Sequence, residues 1–251
     1  MKHQLFIILF FGGVIYYYFF AEKPPRANTL ADIEVVDSVS SDAEKTKNVK
    51  PPVIKKEARP TKTGKNICNS TEHDLSAFLK LYSENMEKRE ILYNSEDLSD
   101  CSGIFLRFSK MMKSECSSIV LPTPSEARDT RKIARWFYNR KKLRIVHDAS
   151  NSGHMIKPGA IMFYGTRNMP YEATDLNIDD LTTSGGIQHI GVVTETEKDV
   201  HGNVVGYTLY HGRTYGKIAG STRWHIINPS SSKNPPFGNG DQQWVAMVEL
   251  L

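Results

Sequence analysis

The hydrophobic period of this chain changes once, near His147, and that change limits the available folds more than any other feature. Before it, apolar residues recur at helical spacing. Leu75, Phe78, Leu79 and Tyr82 mark one face in "STEHDLSAFLKLYSENMEKRE", and Ile104, Phe105, Phe108 and Met112 mark another in "DCSGIFLRFSKMMKS". Ser70 or Thr71 is placed to cap the first of these helices. A third helix is expected in "PSEARDTRKIARWFYNRKK", opening at Pro124 and Ser125, with its basic residues on a solvated face. After His147 come "GAIMFYG", "QHIGVVTETE", "VVGYTLYHGR", "RWHIIN" and "QWVAMVEL". These are short, β-branched and aromatic, and Gly, Asn and Pro separate them; "KDVHGN" reads as a hairpin turn. Helices first and strands second predict an α+β domain, with N-terminal helices packed on a small antiparallel sheet.

Ahead of that domain, Gln4 to Ala21 reads "QLFIILFFGGVIYYYFFA", with no charge until Glu22. The run is near the ~17 to 25 residues that cross a bilayer. A signal-peptide cleavage site wants small residues at its end, and "YYYFFA" offers only Ala21. Residues 1–21 therefore read as an uncleaved transmembrane anchor; a signal peptide is the alternative, and would make the protein secreted. The tyrosines suit a membrane–water interface. An N-terminus held inside leaves the bulk of the chain in the periplasm or otherwise outside the cytoplasm. Residues 22–66 hold proline pairs, charges of both signs and no aromatic side chain. Such a stretch buries too little apolar area to offset its ordering entropy and reads as a flexible linker. Residues 67–251 are left as the folded domain. A net charge of +4 over 251 residues is too mild to imply nucleic acid.

The candidate chemistry centres on Cys101. In "SDCSGIFLRF" it stands where the second helix begins, with Asp100 as a candidate cap. Unpaired amides of a first turn favour a thiolate, and the same amides suit the oxyanion of a tetrahedral intermediate. Asp100 works against this, because its own charge opposes ionisation of the sulfur. A nucleophilic thiol also needs a base and a group to orient that base. "GGIQHIGVVTE" supplies His189 at the head of a strand, and "YTLYHGR" supplies His211 on the next, beside His189 if the two strands pair antiparallel. Tyr93, upstream of the cysteine, is a candidate donor to an oxyanion, with core packing as its bland role. The other two cysteines, Cys68 and Cys116, allow one pair plus one free thiol in an oxidising compartment. A Cys68–Cys116 pairing would leave Cys101 free, as a nucleophile must be.

The stretches "DCSGIFLRF", "IKPGAIMFYG", "IQHIGVVTE" and "YTLYHGR", in this order over roughly residues 90 to 215, resemble the NlpC/P60 family of papain-like cysteine peptidases. The resemblance implies Cys101 as nucleophile, His189 as general base and His211 as the residue that orients it. It implies hydrolysis of peptide bonds in bacterial peptidoglycan, with stem peptides as the partner and no metal or organic cofactor. The chain departs from the family at Pro158-Gly159-Ala160, where an acid usually follows the glycine. It departs again in the long connection between Gly165 and Gln188. A loop of that size is more often functional than idle. Here it is expected to cover the cleft or restrict entry, with Glu172, Asp175, Asp179 and Asp180 available to a substrate amine.

Two rival functions follow from the same residues. "SGHMIKPG" and "RWHIIN" resemble the histidine motifs of zinc D-alanyl-D-alanine peptidases, with His154 and His225 as ligands. Zinc would need a third protein ligand and an open position for water. The other rival is a wall-binding module with a degenerate site.

Overall fold

The computed structural model describes residues 67–94, 97–171, 173–183, 185–227 and 233–250, all within the compact unit Arg59–Leu251. The expected membrane anchor and linker lie outside the described residues. Among the described residues no helix is long and apolar enough to cross a membrane.

Three helices come first: α1 (Glu72–Glu87), α2 (Cys101–Glu115) and α3 (Thr130–Asn139). Each starts at a side-chain cap. Thr71 accepts from the Asp74 amide, Asp100 from Gly103 and Asp129 from Lys132, satisfying donors that the first turn cannot pair internally. The third helix begins at Thr130, not at Pro124. Thr123 instead closes a tight turn, its carbonyl accepting from the amides of Glu126 and Ala127 and its own amide donating to the Glu126 carboxylate. That turn is a single one and does not continue; the helix starts afresh at the Asp129 cap.

Six strands follow: β1 (Arg144–Ile145), β2 (Ile161–Thr166), β3 (Ile187–Lys198), β4 (Val204–His211), β5 (Gly220–His225) and β6 (Gln242–Val248). They form one antiparallel sheet in the order β1-β6-β2-β3-β4-β5. The fold is thus α+β. Strand alternation gives the sheet two apolar faces. Ile161, Phe163, Ile190, Val192 and Tyr210 point to the helices, where they meet Leu79, Phe108, Met112 and Phe137. Met162, Tyr164, Val193, Tyr207 and Trp224 form a second core on the other face, closed by Ile156 and Phe237. Full burial of one such side chain as Phe108, 1% exposed, contributes about 2 to 3 kcal/mol.

Cys68 and Cys116 are joined in a disulfide, which ties the chain ahead of α1 to the residue that ends α2. Cys101 remains a free thiol. The connection between β2 and β3 carries a short helix, α4 (Ile178–Thr182), closed by a capping box between Asn177 and Asp180. It is strapped to α3: Arg135 pairs with Asp179 at 2.6 Å, and Arg131 donates to the Thr183 carbonyl. Of the acidic residues expected to meet a substrate amine, Asp179 is held by Arg135 and Asp180 caps the helix. Asp175 is exposed, and Glu172 lies outside the described residues.

Candidate active site

Cys101 is the first residue of α2, and the chain around it is tightly packed. Gly103 is required there: a Cβ would stand 2.3 Å from the Leu98 carbonyl carbon. Gly212, next to His211, has the same constraint from the other side, since its Cβ would lie 2.8 Å from Cys101 Cα. The end of β4 therefore rests on the first turn of α2. That contact brings the thiol-bearing helix and the histidine-bearing sheet to one end of the molecule.

Cys101 is half-buried and lines a cleft of about 370 Å³ between the starts of α2, α3 and β3. Its partners are Thr130 Oγ1 at 3.5 Å and the Gln188 carbonyl oxygen at 3.8 Å. The Tyr93 phenol is within electrostatic reach of Cys101 and Asp100. Burial pushes the Cys101 thiol up; the Thr130 hydroxyl pulls it down, and the Asp100 carboxylate pushes it up again. At neutral pH the resting group is a thiol. Desolvation, with Asp100 adding to it, opposes the thiolate that the helix start was expected to favour. Burial likewise pushes the Tyr93 phenol up, helped by Cys101 and Asp100, so it stays a donor.

The histidines meet as the antiparallel pairing of β3 and β4 dictates. His189 Nε2 lies 2.7 Å from His211 Nδ1, with the rings edge to face. His211 Nε2 lies 3.0 Å from Thr222 Oγ1 on β5, and its Nδ1 is also 3.2 Å from the Gly212 carbonyl. The hydroxyl donates or accepts as required, so both neutral tautomers of His211 are satisfied. Both imidazoles are buried, at 5% and 7% exposure. Burial holds His189 well below the usual histidine range, with His211 adding to the effect. Burial also holds His211 down to about 4, the Gly212 carbonyl opposing and Arg213 assisting. The pair is neutral near pH 7.

One feature of the site was not legible in advance. His189 is opposite Tyr164 in the β2–β3 register, which puts its ring on the second-core face, beside Tyr164 and His211. Cys101 packs against the helix-side core. The thiol and the imidazoles therefore approach one end of the sheet from its two sides, and the rings border a separate cleft of about 690 Å³ with Arg213 and Trp224. No hydrogen bond joins Cys101 to the His189 ring. The sulfur is bonded instead to the peptide immediately before His189, and it lies against the glycine immediately after His211. Thr130 and Arg128, which reach this corner from the start of α3, carry no motif that marks them in the sequence.

The histidines proposed for zinc do not gather. The His154 ring turns back onto the Asn151 carbonyl at 3.1 Å, whereas His225 stands on β5 across from Gly206. Among the described residues no group of three His, Cys, Asp or Glu is placed to hold a metal ion. Comparison with known proteins finds no matching family model, no matching curated protein and no matching solved structure.

Proposed function

We propose that this chain is a cysteine hydrolase of the NlpC/P60 type, cutting peptide or amide bonds in bacterial peptidoglycan. The observation that carries the reading is the contact of α2 with the end of β4. It sets a free thiol on a helix's first turn against Gln188 and Gly212, the chain neighbours of a buried, hydrogen-bonded histidine pair. The order of the four motifs along the chain supports the family. The tether expected from residues 1–66 supports the substrate, because a wall enzyme held at a membrane needs reach.

In this reading the sulfur leaves Thr130 and the Gln188 carbonyl, and a rearrangement at the end of β3 on substrate binding brings it to the His189 ring, which faces the other side of the sheet in the resting structure. The base role uses the tautomer in which His189 Nε2–H donates to His211 Nδ1, leaving His189 Nδ1 bare. That nitrogen takes the thiol proton as Sγ bonds to the substrate carbonyl carbon. The carbonyl oxygen becomes an oxyanion, received by amides of the α2 first turn and by the Tyr93 hydroxyl. His189 then returns the proton to the leaving amine, and water releases the acyl group from sulfur.

The test is digestion of purified peptidoglycan by the full chain, with products read by mass spectrometry. Loss of released peptides with iodoacetamide, but not with EDTA, is expected. Loss with EDTA alone would replace this reading with the zinc one. Retention of peptidoglycan by a wild-type chain that releases nothing would favour the binding module.

A further inference from the structure

Arg128 immediately precedes the cap of α3 and reaches across to the cap of α2. Its Nη1 lies 3.0 and 3.1 Å from the two carboxylate oxygens of Asp100 and 2.9 Å from Ser102 Oγ. Ser102 Oγ donates to Asp100 Oδ1 at 3.1 Å, and the Gly103 amide donates to the same oxygen at 2.6 Å. Asp100 and Ser102 are the two residues flanking Cys101. The carboxylate that caps the helix is thus also the anion nearest the sulfur along the chain, and one guanidinium is bonded to both neighbours of the nucleophile.

We propose that Arg128 is a positioning residue for Cys101. Its guanidinium offsets the Asp100 carboxylate and fixes both residues flanking the sulfur, so that the capped end of α2 can still favour negative charge developing on Sγ. All three contacts come from one guanidinium nitrogen, so a single cationic centre serves both residues. The Asp100–Arg128 pair is 30% and 40% exposed, so solvent screens part of the effect. Other groups facing the sulfur belong to every neighbouring element. Asp129 and Arg131 stand at the start of α3, Tyr93 lies ahead of α2, Gln188 presents a carbonyl from β3, and the uncharged Gly212 follows β4, with His211 on the other side of the sheet. Among these, Arg128 alone bonds both residues that flank Cys101.

The inference concerns the thiol and not its substrate, so its test needs no peptide. The full chain, disulfide intact, is treated with iodoacetamide across pH 6 to 11, and alkylation of the Cys101 peptide is followed by mass spectrometry. Arg128→Met is expected to move the titration upward and slow alkylation about tenfold at a fixed pH below the midpoint. Arg128→Lys should keep most of the wild-type profile. Asp100→Asn alone should move the titration the opposite way, downward, because it removes the opposing charge. A purely structural tie would lower the melting temperature and leave the titration in place. An Arg128→Met profile that superimposes on wild type overturns the proposal. If Arg128→Met does not fold, Arg128→Lys decides: a retained profile supports charge compensation, and an upward tenfold shift refutes it. Absence of hydrolase activity would leave this result readable, because alkylation reports the thiol directly.

Discussion

Cys101 sits at a helix start yet is pushed up by burial and by Asp100, and its candidate base is held neutral by burial. These two directions together argue for proton transfer during attack, not for a standing ion pair. Alkylation of wild-type Cys101 is therefore expected to be slow at pH 7 and to accelerate through and above the ordinary thiol range, near pH 9. A plateau reached below pH 7 would indicate a preformed thiolate and contradict the account. Removing the nucleophile with Cys101→Ala should lower peptide release roughly 10³-fold or more, measured as kcat/KM. His211→Ala should cost roughly 10²-fold, chiefly in kcat, since His211 orients the base and does not touch substrate. Little of this balance is visible in a sequence. Asp100 next to Cys101 reads equally as a cap and as an opposing charge, and only the packed geometry shows that it is both.

At the scale of elements, the first two helices could be read from residue spacing because each has one strongly apolar face, and the strands because their short β-branched and aromatic runs are bounded by Gly, Asn and Pro. Asp100 and Thr71 could be read as caps for the same reason: a polar residue stood where an apolar period began. Two elements could not. β1 is a two-residue pairing with β6, too short to have a period, and α4 lies inside a stretch whose polar residues read as loop. The start of α3 was displaced because Thr123 and Glu126 close one separate turn and Asp129, not Ser125, caps the helix. Gly212→Ala is the sharpest test at this scale. A Cβ there must push the first turn of α2 away from β4, so activity should fall further than thermal stability does. Measuring kcat alongside the melting temperature separates the two. The disulfide closes 48 residues of chain, and the entropy model gives about 4 kcal/mol for such a loop. The Cys68→Ala/Cys116→Ala double variant should show a loss of up to this size in denaturant unfolding, with Cys101 still free.

For the whole molecule, the buried histidine pair links stability to pH. His211 falls from the ordinary histidine value near 6.5 to about 4 on folding, and His189 shifts in the same direction. The unfolded chain then binds more protons across that interval, so stability is full above about pH 6.5 and declines as pH falls toward 4. The His211 shift alone corresponds to roughly 3 kcal/mol. Urea unfolding at pH 7 and pH 4.5 should show the decline, and His211→Asn should flatten it. Fold class was legible because period and order along the chain determine layers. The placement of the thiol and the imidazoles on the two sides of one sheet end was not, since it depends on register and on how Gly212 meets Cys101. The most direct measurement is the intact mass of the chain after brief exposure to peptidoglycan fragments, with the adduct located by peptide mapping. An acyl group on Cys101, absent in Cys101→Ala together with peptide release, is the expected result. Release at the wild-type rate by Cys101→Ala, or an adduct carried elsewhere, would contradict the account.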